Sequence, residues 1–273
     1  MGRPRRMAPL VEVIAELRWE SSAGSGVNGQ FPLGPTFIAA QGKAETFFMK
    51  FAGEVHALEH REVERLVPAG FPFFATQPVV RFRRGDIGQP KTLYQVGPGI
   101  FSANAVPPYE SWSTRFRDVV ARGVAALIRS RPADELASPF TGLTLRYIDA
   151  FDHRHTEGRP VDAFIREVLG INVLIPKAIA QHLGEGAHIT PMVQLQIPME
   201  SAFMMGLSVS QGSIDGRSVV MLDSSVAATL PIPCDENAVM AAFQSAHDAL
   251  SLTFEQLIKP IDRLMPELQE DGQ

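Results

Sequence analysis

The chain has 273 residues, 45% of them hydrophobic and 20% charged, with a formal net charge of −5. This is an ordinary globular composition, long enough for one large core or two fused lobes. The acidic balance excludes a global basic field for nucleic acid, though not a local basic patch, and the single cysteine, Cys234, excludes an intrachain disulfide framework and fits a reducing compartment.

Residues 1–8 are basic but lack the apolar run of a signal peptide, and they read as a flexible arm. No stretch approaches the roughly 18 apolar residues of a membrane span. The expectation is a cytoplasmic protein without membrane contact. Leu10–Glu20 alternates: Val11, Val13, Ala15, Leu17 and Trp19 share one side, and Glu12, Glu16, Arg18 and Glu20 the other. A period of two predicts a half-buried strand. A loop rich in Gly and Ser follows at Ser21–Gln30. From Pro35, the apolar positions Phe37, Ala40, Ala44, Phe47, Phe48, Phe51, Val55 and Leu58 recur every three or four residues, as on a helix. Pro68, Gly70 and Pro72 close that region. Short β-like runs follow at Val79–Arg84, Thr92–Val96 and Ile100–Val106, punctuated by Gly and Pro turns. A second amphipathic helix carries Trp112, Phe116, Val119, Val120, Val124 and Leu127, and ends near Ser130 before Pro132.

The second half repeats this order. Phe140–Phe151 is a strand with Leu143, Leu145, Tyr147 and Phe151 in alternation. After the polar loop Asp152–Pro160 come a short helix, Val161–Leu169, and a helical turn or two within Pro176–Gly186. Strands near Pro191–Pro198, Phe203–Gln211 and Ser218–Ala228 precede a last helix, capped by Asp235 or Asn237. Its stripe runs Val239, Phe243, Ala246, Leu250, Phe254, Leu257 and Ile258. Leu17-Arg18-Trp19 falls on Leu145-Arg146-Tyr147 at an offset of 146 − 18 = 128, and Phe116 falls on Phe243 at 243 − 116 = 127. The pattern predicts an α+β protein of two pseudo-repeats, each strand, helix, three strands, helix. They occupy 9–132 and 140–260, with a tail at 261–273. Such halves side by side make a curved antiparallel sheet with helices on one face, the saddle of TATA-binding protein. A helix-grip cup is the second geometry.

Three stretches, PLVEVIAELRW, YQVGPGIFSANAVPPYESW and LRYIDAF, together with the C-terminal helix bearing His247 and Phe254, resemble a sporadically distributed bacterial family of functionally uncharacterised proteins. The likeness runs from about Pro9 to Ile258. It implies a bacterial or phage source and a patchily inherited gene of the kind found near defence and toxin–antitoxin systems. It carries no catalytic residues.

Several clusters are candidates for chemistry. Arg81 and Arg83 share a strand face, and with Arg18 and Arg146 they could form an anion or partner site on the helix-free side. Cross-strand pairing with Glu12, Glu16 and Glu20 is the plain alternative. Met199 and Met205, in a Met-rich stretch, are candidates for a soft interface, against ordinary core packing. His56-x-x-Glu59-His60 spells an inverted zincin pattern, yet at about 100° per residue His56 falls about 140° and His60 about 180° from the apolar stripe. Both then face solvent without a third ligand. His153 and His155, beside Asp149 and Asp152, are a weaker metal pair. The expectation is no metal and no cofactor. Cys234 precedes a helix, where a lowered thiol pKa is conceivable, but Asp235 and Glu236 oppose it.

The reading is a non-enzymatic binding or assembly module that presents its open sheet face to a partner protein, a second copy of itself or an anionic ligand. The alternatives are a nucleic-acid-binding accessory of a defence system, using the arginines, and a metal-dependent hydrolase or nuclease, using the histidines.

Overall fold

The computed structural model describes residues 8–22, 35–84, 91–108 and 111–266. The expected arm up to residue 7, the Gly/Ser loop beyond Ser22, the turn at 85–90, Tyr109 and the end from 267 lie outside the described residues, as does the Phe37 side chain.

Nine strands build one antiparallel sheet: β1 (Leu10–Trp19), β2 (Glu62–Arg65), β3 (Val80–Arg83), β4 (Lys91–Gly97), β5 (Ile100–Val106), β6 (Phe140–Phe151), β7 (Val193–Pro198), β8 (Phe203–Ile214) and β9 (Arg217–Ala228). Their order is β2-β3-β4-β5-β1-β6-β9-β8-β7. The helices are α1 (Pro35–His56), α2 (Arg117–Ser130), α3 (His153–Thr156), α4 (Val161–Glu167), α5 (Lys177–Ala180) and α6 (Glu236–Leu257). A π-helical turn at Trp112–Phe116 leads into α2, and a 3₁₀ segment at Lys259–Leu264 follows α6. The expected α+β class is what is observed.

The N-terminal strand is the middle of the sheet. Leu17 lies opposite Phe101 of β5 and Leu143 of β6, and Ala15 lies opposite Ala103 and Leu145. Strand alternation turns Val13, Ala15, Leu17 and Trp19 to the helix side, where they are buried. There Phe47, Phe48, Phe51 and Val55 of α1, Val120, Val124 and Leu127 of α2, and Val239, Phe243 and Leu250 of α6 join them in one core. Phe51 is its aromatic hub, with its ring centroid 5.5 Å from Phe82, 6.2 Å from Tyr94 and 6.0 Å from Phe101. Gly123 of α2 has no room for a side chain: a Cβ there would stand 2.5 Å from Tyr94 and 2.9 Å from Phe101, so the glycine sets how closely α2 sits on the sheet. A second core gathers Phe151, Leu207, Val209 and Leu222 of the sheet with Phe164 and Ile165 of α4.

Several details depart from the sequence expectation. The chain leaves the helix at His56, reverses through Glu59 at φ 67°, and returns as the edge strand β2 on β3. The stretch from 261 begins as packed structure: Ile261 and Met265 are fully buried. The β8–β9 hairpin closes on Asp215-Gly216, at φ 50° and 74°, the left-handed pair of a type I′ turn. The last helix is capped by Asp235, whose carboxylate accepts from Ala238 N at 2.9 Å.

Candidate functional site

The helices pack on the face that carries Leu17 and Leu145. The other face holds the alternate residues, and the registers align them in rows. Arg81, Gln95, Ser102, Glu16 and Thr144 make one row across β3, β4, β5, β1 and β6. Arg83, Leu93, Asn104, Ile14 and Arg146 make the next. This is the polar half of each strand's alternation, and its side chains are bonded to one another. Ser102 donates to Asn104 at 2.9 Å, and Asn104 donates to Glu12 at 2.7 Å. Although no described helix covers them, Ser102 and Asn104 are buried.

The four arginines share this face but do not converge. Strands lie about 4.8 Å apart, so Arg83 on β3 and Arg146 on β6 are roughly 19 Å from each other. Each has an acidic neighbour. Arg81 and Arg83 reach Glu64 at 3.1 and 3.0 Å, and Arg81 also meets Gln95 at 3.4 Å. Arg18 pairs with Glu16 at 2.7 Å. Arg146 grips Asp223 with two bonds, one of them 2.7 Å from Nε to Oδ1, and this pairing holds its guanidinium even more firmly protonated than usual. The Arg81 Nε is buried without an acceptor. The surface is therefore of mixed charge, not a basic patch.

Residues from three of the short motifs meet on the helix side. The Tyr147 hydroxyl bonds His247 Nδ1 at 3.0 Å, and Trp112 stacks on the His247 ring at 5.1 Å. Trp112 donates to Gln244 at 2.9 Å, and Gln244 donates to Asp248 at 2.9 Å. The cluster ties the start of α2 to β6 and α6. Burial lowers the His247 pKa to about 4, so the ring is neutral. Two residues along β6, Asp149 is buried on this same face, and desolvation raises its carboxyl to about 7.

The histidine candidates separate. His56 is exposed, but His60 is not the outward residue the helical wheel predicts. Because α1 ends at His56, the wheel does not extend to 60. His60 turns inward, with Nε2 3.0 Å from Thr92 Oγ1, Nδ1 3.0 Å from the Leu58 carbonyl and its ring 4.3 Å from Tyr94. Burial lowers its pKa to about 4. His155 is also buried, 2.8 Å from Asp152, and closes the capping box of α3, while His153 is exposed. Among the described residues, no group of three or more His, Cys, Asp or Glu side chains is placed to hold a metal. Met205 lies in the core, and Met199 is half-buried against it. Cys234 is half-buried and accepts from Arg131 at 2.9 Å. No described helix is long and apolar enough to cross a membrane.

Sequence reasoning missed Glu135. Its buried carboxylate accepts from Trp19 Nε1 at 2.7 Å, Ser21 Oγ at 2.9 Å and Ser22 N at 2.9 Å. It lies between α2 and β6 in a stretch with no periodicity to single it out.

No family model, no curated protein and no solved structure matches this chain.

Proposed function

We propose that the chain is a non-catalytic binding module of two pseudo-repeats in a saddle-shaped sheet, which recognises a partner protein through its helix-free face. Several features support the duplication. From the centre outward the strands run β1-β5-β4-β3 on one side and β6-β9-β8-β7 on the other, with β2 added beyond β3 and without a counterpart. A long helix follows the last strand of each set, α2 after β5 and α6 after β9. The offset of 128 carries the pair Ile14–Arg146 onto the pair Arg18–Gly142, since 14 + 128 = 142 and 146 − 128 = 18. A local twofold between β1 and β6, near Glu16–Thr144, has this property.

The observation that carries the binding role is the pair of side-chain rows crossing five strands on the face opposite the helices. Their mutual hydrogen bonds fix the side chains beforehand, which lowers the ordering cost of binding. Paired charges of both signs favour a protein surface of matching polarity over a polyanion. Nucleic acid, met through Arg81 and Arg83, is the second reading, although Glu62 and Glu64 face those two arginines across β2 and β3.

The test is capture from a lysate of the source cells with the full chain and its Arg81→Ala/Arg146→Ala variant, after circular dichroism shows both folded. The expected result is a discrete protein partner bound at least tenfold more weakly by the variant. Undiminished capture by the variant, or no partner retained by the native chain, overturns the reading. Capture of nucleic acid whose affinity falls steeply with salt selects the second reading.

A further inference from the structure

The sheet ends in two unlike edges. β2 is four residues, Glu62-Val63-Glu64-Arg65, with Arg65 paired to Glu45 and Glu64 to Arg81 and Arg83. Charges and shortness protect an edge from pairing with another chain. β7 is Val193-Gln194-Leu195-Gln196-Ile197-Pro198, with no charge between Ile189 and Met199. On the helix side of β7, Leu195 and Ile197 are 38% and 43% exposed. The approach to β7 is apolar and uncovered as well, with Leu174 91%, Ile179 57%, Leu183 42% and Met192 81% exposed.

The open backbone groups of β7 are identified by its pairing with β8. The register puts Pro198 opposite Met204, and one step further Met199 N donates to the Phe203 carbonyl at 2.9 Å. Hydrogen-bonded and non-bonded pairs alternate in an antiparallel ladder. Val193, Leu195 and Ile197 therefore bond inward to β8, and Gln194 and Gln196 turn their N–H and C=O groups outward. Those two residues flank Leu195 symmetrically, and Val193-Gln194-Leu195-Gln196-Ile197 is close to a palindrome. Laid antiparallel on itself about Leu195, the strand brings Gln194 opposite Gln196 as a bonded pair, twice. Leu195 then meets Leu195 of the second copy, and Val193 meets Ile197. Every apolar side chain of the pair falls on the uncovered side and the glutamine amides on the other. No charge opposes the match. Such self-pairing is the isologous contact of a twofold dimer.

We infer that β7 is a homodimer interface, where two copies join edge to edge into one continuous sheet with Leu195 at the dyad.

The test is sedimentation equilibrium of the full chain at about 10–100 μM, concentrations that populate a dimer of micromolar Kd. The native chain is expected at twice the 29.8 kDa chain mass. Leu195→Lys and Leu195→Glu, each placing like charges across the dyad, are expected at the single-chain mass with unchanged circular dichroism. Mixing those two variants in equal amounts restores the doubled mass, because Lys then faces Glu. Val63→Lys, on the β2 edge, leaves the dimer intact. A monomeric native chain, a Leu195→Lys variant that stays dimeric, a mixture that stays monomeric, or dissociation by Val63→Lys overturns the assignment. So does a native monomer that copurifies with a different protein and loses it on Leu195→Lys.

Discussion

The two halves of the chain cover their strands differently. In the first half, α1 runs 22 residues and seats Phe47, Phe48 and Phe51 over β3 and β4. In the second half, the segment between β6 and β7 yields α3, four residues, α4, seven residues, and α5, four residues, and Leu195 and Ile197 of β7 are exposed. The cause is local. Gly170 at φ 70° ends the helical run after α4, and Pro176 restarts it only for one turn. The first half seats aromatics of α1 on its strands, and the second leaves Leu195 and Ile197 of its edge strand exposed.

Mutations at matched places make that contrast measurable. Phe51→Ala removes the ring that touches three strand aromatics, and it is expected to cost about 3–5 kcal/mol in urea unfolding. A loss below about 1 kcal/mol would mean that the first half is not closed as described. Glu135→Ala, which strands a buried indole N–H and the Ser22 N–H, should cost about 2–3 kcal/mol, as expected for bonds to a charged acceptor. The second half has no comparable anchor over β7.

The pH dependence has two contributions of opposite sign. The Asp149 carboxyl is at about 7 in the fold and about 3.9 when unfolded. In that window the native state holds a proton that the unfolded chain lacks, so stability falls as pH rises, by at most about 1.4 kcal/mol per pH unit. His60 and His247 behave the other way. Their folded values are about 4, against about 6.5 unfolded. Their contribution is complete above pH ~6.5 and is lost as pH falls toward 4. Asp149→Asn should therefore raise the melting temperature at pH 8 and steepen the loss of stability on acidification. Thermal melts from pH 4 to 8 check this, and parallel curves for variant and native chain would show that the Asp149 carboxyl does not titrate with folding.

The smallest effect is the sharpest contrast. Leu195→Ala, at submicromolar concentration where single chains are compared, should cost about 1 kcal/mol or less, because Leu195 is 38% exposed where Phe51 is fully buried. A cost near that of Phe51→Ala would place β7 under cover and remove the difference between the halves.

Much of the fold was legible in the sequence because periodicity is a local property. The alternation at Leu10–Trp19 and Phe140–Phe151, the stripe at Phe47, Phe51 and Val55, and the cap and stripe of α6 each follow from neighbours a few residues apart. The tertiary structure decided what depends on distant partners. Arg61–Arg65 became β2 because β3 offers it a ladder, which the charges of that stretch do not announce. His60 is buried because α1 ends one turn earlier than its wheel implies. The four arginines share a face, as the spacing predicts, but strand order separates them and supplies each with a carboxylate. Glu135 became an anchor because Trp19, 116 residues away, comes within reach of it. Which apolar residues remain exposed was decided in the same way: Leu195 alternates like any strand residue, and its strand is the outermost of the sheet.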